Sequence, residues 1–271
     1  FQLLLRTHQQ SSTQERRTFY RQTPVKRVQD FFKYRFRPFY WKLQKALSGG
    51  NVKQSVADVK VEYPVNSWRE QYRYETLVGE RDILEYLIRE IGTDDVVWDI
   101  GGSWGMFTTP IAATGADTSV FEPVSNRVER IQKNLSNNNL DATVYEFALG
   151  ESEQELMLEL EGSNPGGLTE STQNGVSAMV RPGDDLIKDG ATQPTVLKID
   201  VEGAEVETLR GLEDTLNSPE CKLVVIEIHS DLISYFDGDE EELFSRLLDA
   251  GFQIEEIDRR NASNYHISAI K

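Results

Sequence analysis

The sequence contains little of what marks secreted or membrane-spanning proteins. Its 271 residues include one cysteine, Cys221, which excludes an internal disulfide and favours a cytoplasmic protein. No apolar run is long enough to span a membrane, and the apolar start, residues 1–5, is too short for a signal-peptide core. The first residue is Phe1 and not Met, so we expect further residues to precede it. A cytoplasmic location follows, with peripheral contact at the inner membrane face left open.

Negative charge dominates the chain but is unevenly distributed. The net charge is -16, yet residues 1–50 carry 11 Lys and Arg against only Glu15 and Asp30, which leaves -25 on the remainder. Such an acidic surface resembles that of proteins from highly saline cytoplasm. Because an acidic body repels polyanions, nucleic-acid binding would have to depend on residues 1–50 and is not expected.

Residues 1–50 are predicted to be an accessory segment, and residues 51–271 the main domain. Aromatic and aliphatic residues recur at roughly helical spacing among basic residues over 24–47, and a Ser-Gly-Gly-Asn linker follows at 48–51. We expect this stretch to pack on the domain or on a second copy of the chain. Contact with an anionic membrane surface or a polyanion is the alternative.

The main domain alternates helical and strand patterns, which predicts a Rossmann-like, doubly wound, mostly parallel sheet of seven strands. The last two strands are joined by a short polar loop and must therefore pair antiparallel. An inserted hairpin at 156–160 and 176–180 is joined by a loop, 161–175, that we expect to form a flap over the site. Strands are predicted at 96–100, 118–121, 142–149, 195–201, 222–229, 252–257 and 265–270, with a strand or hairpin arm at 52–65, and helices at 77–91, 106–113, 124–137, 205–216 and 240–250.

A glycine-rich turn follows the first strand of this sheet. Its pattern, Asp99-x-Gly101-x-x-x-Gly105, differs from the Gly-x-Gly-x-x-Gly turn of dinucleotide-binding folds and resembles the first motif of class I methyltransferases. A carboxylate at the strand end would repel a pyrophosphate but suits S-adenosylmethionine, which carries an ammonium and a sulfonium. The alternative is a strand-glycine-helix turn without a ligand. The predicted cofactor contacts of the turn are Asp99, Gly101, Gly102, Ser103 and Gly105.

Ionisable side chains end the other predicted strands, where ligands bind in doubly wound sheets. Glu122, about twenty residues beyond the glycine turn, is predicted to accept hydrogen bonds from ribose hydroxyls, with capping of the next helix as the alternative. Strand alternation places Lys198, Asp200 and Glu202 on one face, which is costly unless they are paired or hydrated. His229 ends the following strand and is either a structural histidine or a catalytic one.

The run Val196-Leu197-Lys198-Ile199-Asp200-Val201-Glu202-Gly203-Ala204-Glu205, followed by Leu209-Arg210-Gly211, resembles the signature of FkbM-type methyltransferases. The resemblance covers residues 75–257, with further matches at 121–123, 147–150, 183–186 and 226–229. Trp104 departs from it, because such families usually carry a smaller aliphatic residue there. The resemblance implies transfer of a methyl group from S-adenosylmethionine to oxygen, commonly a sugar hydroxyl, and adds Phe147 and Ala148 to the expected cofactor contacts.

A hydroxyl is a weak nucleophile while protonated, so a base is expected beside it. Asp200, Glu202 and His229 are the catalytic candidates, with Lys198 adjusting a carboxylate. Asp184, Asp200 and Glu202 carry oxygens that a magnesium ion would accept, but we expect no metal. The expected partner is a small-molecule or glycan acceptor, and a homo-oligomer through residues 1–50 is considered. The alternative functions are an RNA methyltransferase that uses residues 1–50, and a non-catalytic binding or scaffold protein of the same fold.

Overall fold

The computed structural model describes residues 50–159 and 175–271, apart from the side chain of Glu159. The chain divides into two units, Phe1–Gly50 and Asn51–Lys271, and the second is described below. The predicted accessory segment, except Gly50, and the predicted flap, except Gly175, lie outside the described residues.

A seven-stranded sheet forms the centre of the second unit. From one edge to the other its strands are β11 (Gln253–Arg259), β12 (Asn264–Ile270), β10 (Leu223–His229), β9 (Val196–Ile199), β3 (Val96–Ile100), β4 (Asp117–Phe121) and β5 (Thr143–Tyr145). Strands β3, β4, β5, β9 and β10 are parallel, and β12 pairs antiparallel with both β10 and β11. This confirms the predicted fold class, including the antiparallel carboxy-terminal hairpin.

Two smaller sheets flank the central one. The hairpin β1 (Asn51–Val56) and β2 (Val59–Pro64) is antiparallel. The predicted inserted hairpin is present as β7 (Gln154–Glu159) and β8 (Gly175–Arg181), and β8 also pairs with the short strand β6 (Ala148–Leu149). The single strand predicted at 142–149 is therefore wrong, because its first part joins the central sheet and its second part joins β8.

Nine α-helices accompany these strands within residues 50–159 and 175–271. They are α1 (Trp68–Thr76), α2 (Arg81–Glu90), α3 (Thr108–Ala112), α4 (Ser125–Asn137), α5 (Gly183–Lys188), α6 (Glu205–Arg210), α7 (Glu213–Asn217), α8 (Ser230–Ile233) and α9 (Glu240–Asp249). In this part of the chain no helix combines the length and apolarity needed to cross a bilayer.

Two predicted helices differ from the structure. The helix expected at 77–91 begins only at Arg81, because Leu77, Val78 and Gly79 have positive φ angles of 50°, 53° and 91°. The helix expected at 205–216 is broken at Gly211, where a Cβ atom would lie 2.0 Å from the carbonyl oxygen of Gly150. That close approach fixes the carboxyl end of α6 against the start of the inserted sheet.

The core lies on both faces of the central strands. All four residues of β9 and all seven of β10 are buried. Leu197 and Ile199 pack on one face with residues of α6 and α9, whereas Val196 and Val225 pack on the other with residues of α2. Strands covered on both faces are rigid supports, and their carboxyl ends therefore hold the polar residues described next in fixed positions.

Candidate active site

The glycine turn after β3 lies directly against the end of β9. A Cβ atom at Gly101, whose φ is +82°, would lie 1.8 Å from the carbonyl oxygen of Asp200. The amides of Gly101 and Gly102 both donate to the carbonyl oxygen of Phe121, at 2.9 and 3.1 Å. The turn that is expected to bind the cofactor and the turn that carries the catalytic candidates are thus in contact through their backbones.

Asp99 lies beneath this turn and is fully buried. One of its oxygens accepts a hydrogen bond from the Thr108 hydroxyl at 2.6 Å, and the other lies 3.1 Å from Nζ of Lys198. Lys198 also donates to the carbonyl oxygen of Gly101 at 3.2 Å and lies 3.7 Å from the Asp200 carboxylate. The Asp99–Lys198 pair therefore links the glycine turn to β9, and both Asp99 oxygens face protein groups.

Lys198 remains a cation in this setting. Burial lowers the pKa of Lys198, but the Asp99 and Asp200 carboxylates more than offset this, so the pKa lies above its ordinary value. A small cavity of about 10 Å³ lies beside it, a volume on the order of that occupied by one water molecule. Its polar lining is formed by Glu80, Lys198, Asp200, Glu227 and His266. Lys198 thus stabilises the neighbouring carboxylates and is not a base.

Glu122 ends β4 and joins the glycine turn to the next helix. Its carboxylate accepts hydrogen bonds from the amides of Ser103 at 2.8 Å and Val124 at 2.9 Å, and Arg127 lies 3.6 Å away. The Val124 amide belongs to the residue before the helix that begins at Ser125, and the helix has no side-chain cap, so the contact is not the capping bond considered as the alternative. Burial raises the pKa of Glu122, while Arg127 opposes this.

Phe147 and Ala148 follow β5 in the chain, and Phe147 lies against the ends of β4 and β5. The Phe147 ring packs on Phe121 and Tyr145 with centroids 5.9 and 5.3 Å apart, and Ala148 pairs with Val180 in the inserted sheet. Both residues are partly exposed. Phe147 therefore offers apolar surface next to Phe121, the residue before Glu122.

Three acidic residues surround His229 at the ends of β9 and β10. Its Nδ1 lies 2.8 Å from an oxygen of Glu205, and its Nε2 lies 3.4 Å from Glu202 and 3.8 Å from Glu227. The His229 side chain is 8% exposed and that of Glu202 is 40% exposed. Glu202 is thus the member of this group that reaches solvent, and its φ of +52° places it in the left-handed region that non-glycine residues rarely adopt.

The close packing of these charges shifts their proton affinities. Burial raises the pKa of Glu202 to about 7, with Asp200 and Glu227 adding to the rise and His229 opposing it. Burial lowers the pKa of His229, but Glu205, Asp200 and Glu202 outweigh it and raise the value to about 9. At neutral pH, His229 is therefore an imidazolium and Glu202 is divided between its acid and its carboxylate.

Several residues of this site have no role predicted from the sequence. Glu205 is only the first residue of the helix predicted at 205–216, and Glu227 lies in the matching run 226–229 without an assigned function. Arg260 and His266 come from the terminal hairpin and lie 3.2 and 3.5 Å from the Glu227 carboxylate. Burial raises the pKa of Glu227, but His266, Arg260 and His229 outweigh it and bring the value to about 2. The antiparallel pairing of Glu227 with His266 was the available signal, because it follows from the register of β10 and β12.

Asp184 does not belong to this site. Its oxygens accept hydrogen bonds from the amides of Asp214 at 2.7 Å and Thr215 at 3.0 Å, and from the Thr215 hydroxyl at 2.6 Å. It therefore caps α7, and its consideration as a magnesium ligand was wrong. Among the described residues, Asp200, Glu227 and His229 place possible ligand atoms within 4.8 Å of one another. Each of the three already faces an opposite charge: Asp200 lies 3.7 Å from Lys198, Glu227 lies 3.2 Å from Arg260, and His229 lies 2.8 Å from Glu205.

The fold and the strand-end site together define a Rossmann-like methyltransferase. Residues 90–254, more than half of the chain, match the family model of the Methyltransferase FkbM domain. The chain belongs to this family, and its methyl donor is S-adenosylmethionine. The chemistry of the site fits that cation, because carboxylates outnumber fixed positive charges at the strand ends.

Comparison with individual proteins gives similar matches. The hexuronic acid methyltransferase AglP of Haloferax volcanii is 30% identical over 177 residues, which cover 65% of this chain and 73% of that protein. The crystal structure of an FkbM methyltransferase from Methylobacillus flagellatus KT is 18% identical with a TM-score of 0.48, and the match covers 73% of this chain and 48% of that one. This chain thus spans about half the length of that structure. Magnesium protoporphyrin IX methyltransferase of Synechocystis PCC 6803, with bound SAM, is 13% identical with a TM-score of 0.45 over 76% of this chain and 85% of that one.

Proposed function

We propose that this methyltransferase acts on a hydroxyl of a sugar or glycan-type acceptor and that Glu202 is its general base. The observation that carries the proposal is the position of Glu202: a partly exposed carboxylate with a pKa of about 7, in the turn that contacts the glycine loop through Asp200 and Gly101. A base is most effective when its pKa lies near the working pH. The name of the AglP relative, a hexuronic acid methyltransferase, supports a sugar-type acceptor.

Within this proposal the glycine turn and its neighbours hold the methyl donor. Gly101, Gly102, Ser103 and Gly105 form the turn, Glu122 accepts hydrogen bonds from ribose hydroxyls, and Phe147 with Ala148 provides the apolar surface. When bound, S-adenosylmethionine supplies a methyl group on a positively charged sulfur, which is a good leaving group. Asp99 is fully buried beneath the turn and pairs with Lys198, and it supports the turn through that lysine.

The residues at the ends of β9 and β10 prepare the acceptor. The Glu202 carboxylate accepts the proton of the acceptor hydroxyl, which makes the hydroxyl oxygen a stronger nucleophile toward the methyl carbon. The oxygen must lie opposite the sulfur, in line with the bond from sulfur to the methyl group. The proton then passes to solvent, since the Glu202 side chain is 40% exposed. Asp200 and Lys198 keep the turn that carries Glu202 in place. No metal ion is required for any of these steps.

We further propose roles for the segment that lies outside the described residues. Residues 1–50 form an accessory segment that joins copies of the chain or contacts an anionic membrane surface from the cytoplasm, and residues 51–271 form the catalytic domain. The excess of basic over acidic residues in residues 1–50 supports this division. Pelleting of the full chain, but not of residues 51–271, with anionic vesicles would support the membrane role.

The test uses S-adenosylmethionine with a labelled methyl group and a panel of hexuronic acid and neutral sugar glycans. We expect label on a sugar, stable to mild alkali as an ether is, and a loss of kcat of about 10²–10⁴-fold in Glu202→Gln. The exposed Glu255 on β11 provides the control, and Glu255→Gln should retain full activity. Label that mild alkali releases would identify an ester on the carboxylate and would contradict the hydroxyl proposal, as would label on RNA alone.

A further inference from the structure

Glu205 is a fully buried carboxylate that the proposed reaction does not yet use. It begins α6, is 0% exposed, and accepts a hydrogen bond from the amide of Gly203 at 3.0 Å. The same oxygen lies 2.8 Å from Nδ1 of His229, whereas its second oxygen has no hydrogen-bond partner among the described residues. A buried carboxylate is costly unless it is paired. The pairing with His229 is therefore the interaction that makes this position tolerable.

Glu205 also determines how the His229 ring is oriented. With Nδ1–H donated to Glu205, the opposite nitrogen, Nε2, is directed toward Glu202 at 3.4 Å. Rotation of the ring by half a turn would break the shortest of its contacts and leave Glu205 unpaired. A carboxylate that binds one ring nitrogen fixes the role of the other, as in other histidine-carboxylate pairs.

We propose, on the basis of the function proposed above, that Glu205 is a positioning residue that fixes the His229 ring with its Nε2 directed toward Glu202, so that His229 holds the proposed base in place. The three side chains form a series of contacts, Glu205–His229–Glu202, which extends from the fully buried start of α6 to the partly exposed turn after β9. Glu205 acts on the reaction only through His229. Its loss therefore weakens the base without removing it.

Other charged groups also lie close to Glu205, His229 and Glu202 and influence their protonation. Those close to His229 are carboxylates, and those that neutralise these carboxylates are cations from neighbouring strands. Among the residues that the structure describes, this set includes Asp200 and Glu202 after β9, Glu205 on α6, Glu227 on β10, Lys198 on β9, Glu80 before α2, Arg260 between β11 and β12, and His266 on β12. Arg260 and His266 pair with Glu227, and Lys198 with Asp200, so these two carboxylates are less available to His229 than Glu205 is.

The test compares Glu205→Gln, Glu205→Asp and the control Glu207→Gln in the full chain. Glutamine keeps the size and the acceptor oxygen of Glu205 but removes its charge, whereas aspartate keeps the charge on a shorter side chain. Glu207 lies on the same helix and pairs with Arg210 at 2.9 Å, outside the site. The chain has only three histidines, which simplifies the assignment of ring ¹⁵N signals by NMR.

The first readout needs no acceptor. In the wild-type protein and in Glu207→Gln we expect both His229 ring nitrogens to be protonated at pH 7, and the ring to become neutral near pH 9 with the proton retained on Nδ1. In Glu205→Gln the ring should lose its proton at least about one pH unit lower. An unchanged titration in Glu205→Gln, or a neutral wild-type ring protonated on Nε2, would overturn the inference.

The second readout uses the methyl-transfer assay. Glu205→Gln should move the alkaline limb of the pH profile for kcat downward, because the neutral His229 ring with its proton on Nδ1 no longer donates from Nε2 to Glu202, and should leave the KM for S-adenosylmethionine unchanged. A fall of one unit in the His229 pKa lowers its protonated fraction at pH 9, and with it kcat at that pH, by roughly fivefold. Glu205→Asp should recover part of the loss, whereas a purely structural role would lower activity equally at every pH.

The two proposals fail in different ways. If the wild-type chain methylates no sugar but its His229 ring titrates as expected and shifts in Glu205→Gln, the acceptor assignment fails and the control of His229 by Glu205 stands. If sugar methylation is present and Glu205→Gln changes neither the ring titration nor the pH profile, the inference about Glu205 fails alone. If Glu205→Gln does not fold, the wild-type ring signals and Glu205→Asp decide the question.

Discussion

Replacement of Gly101 by alanine tests whether the glycine turn and the catalytic turn form one unit. The added Cβ atom would lie 1.8 Å from the carbonyl oxygen of Asp200 and 2.8 Å from its carbonyl carbon. Both are backbone atoms, so the obstacle cannot rotate away as a flexible side chain would. Either the glycine turn or the turn that carries Asp200 and Glu202 must move.

The cost of Gly101→Ala has two parts. An L-residue with the left-handed φ of Gly101 costs about 1–2 kcal/mol, and forcing additional atoms into a packed site costs about 1–3 kcal/mol more. The expected loss in the free energy of unfolding is therefore about 2–5 kcal/mol. Because the displaced atoms belong to Asp200, two residues before the proposed base, kcat should fall more than the stability loss alone explains.

Gly251 provides a matched control. Its φ is +91°, close to that of Gly101, but nothing lies within 4 Å of a Cβ atom placed there. Gly251→Ala should therefore cost only the conformational part, about 1–2 kcal/mol, and leave kcat unchanged. Urea unfolding of both variants measures the difference. Equal destabilisation of the two variants, with activity intact in Gly101→Ala, would refute the coupling between the turns.

Three further predictions follow from the same contacts. The pKa of Glu202 is raised to about 7, so its carboxylate form is lost as pH falls. The kcat should therefore fall about tenfold per pH unit well below pH 7, and a pH profile with its acidic limb near pH 4.5 would contradict Glu202 as the base. Arg210 contacts both oxygens of Glu242 at 2.8 and 2.7 Å and is 17% exposed, so Arg210→Ala should lower unfolding free energy by about 1.5–3 kcal/mol. Arg259 makes a comparable pair with Glu256 but is 42% exposed, so Arg259→Ala should lower the free energy of unfolding by less than about 1 kcal/mol. Urea unfolding measures both variants, and equal losses would contradict the effect of burial. Dialysis against EDTA should leave methyl transfer unchanged, whereas a loss restored by Mg²⁺ or Mn²⁺ would show a metal-assisted site.

The sequence predicted the central sheet because its strands are short apolar runs separated by amphipathic helices. Buried strands such as β10 are recognisable from composition alone, and the terminal hairpin follows from its short loop. The helix α1 was missed because its nine residues bury only Gln71 and Tyr74, so no apolar stripe marks it. The break after Arg210 also escaped prediction, since it depends on contact between Gly211 and Gly150, which are far apart in sequence.

The sequence predicted which strand ends form the candidate site, but not which side chains pair with one another there. The predicted neighbours Asp200, Glu202 and His229 do come together, because β9 and β10 are adjacent and parallel. Whether an acidic side chain faces a ligand or the protein depends on distant partners. Asp99 faces Lys198, 99 positions away, and Asp184 faces the start of α7. Glu205 was overlooked because a glutamate in the first turn of a helix is ordinary in sequence.

The most direct test of the central claim is the fate of the labelled methyl group in wild-type protein and in Glu202→Gln. The account predicts an alkali-stable methyl ether on a sugar hydroxyl, formed at least about 100-fold more slowly by the variant while S-adenosylmethionine binding is retained. Transfer to a sugar hydroxyl at an undiminished rate in Glu202→Gln would contradict the assignment of the base. Transfer to no sugar at all would contradict the proposed acceptor.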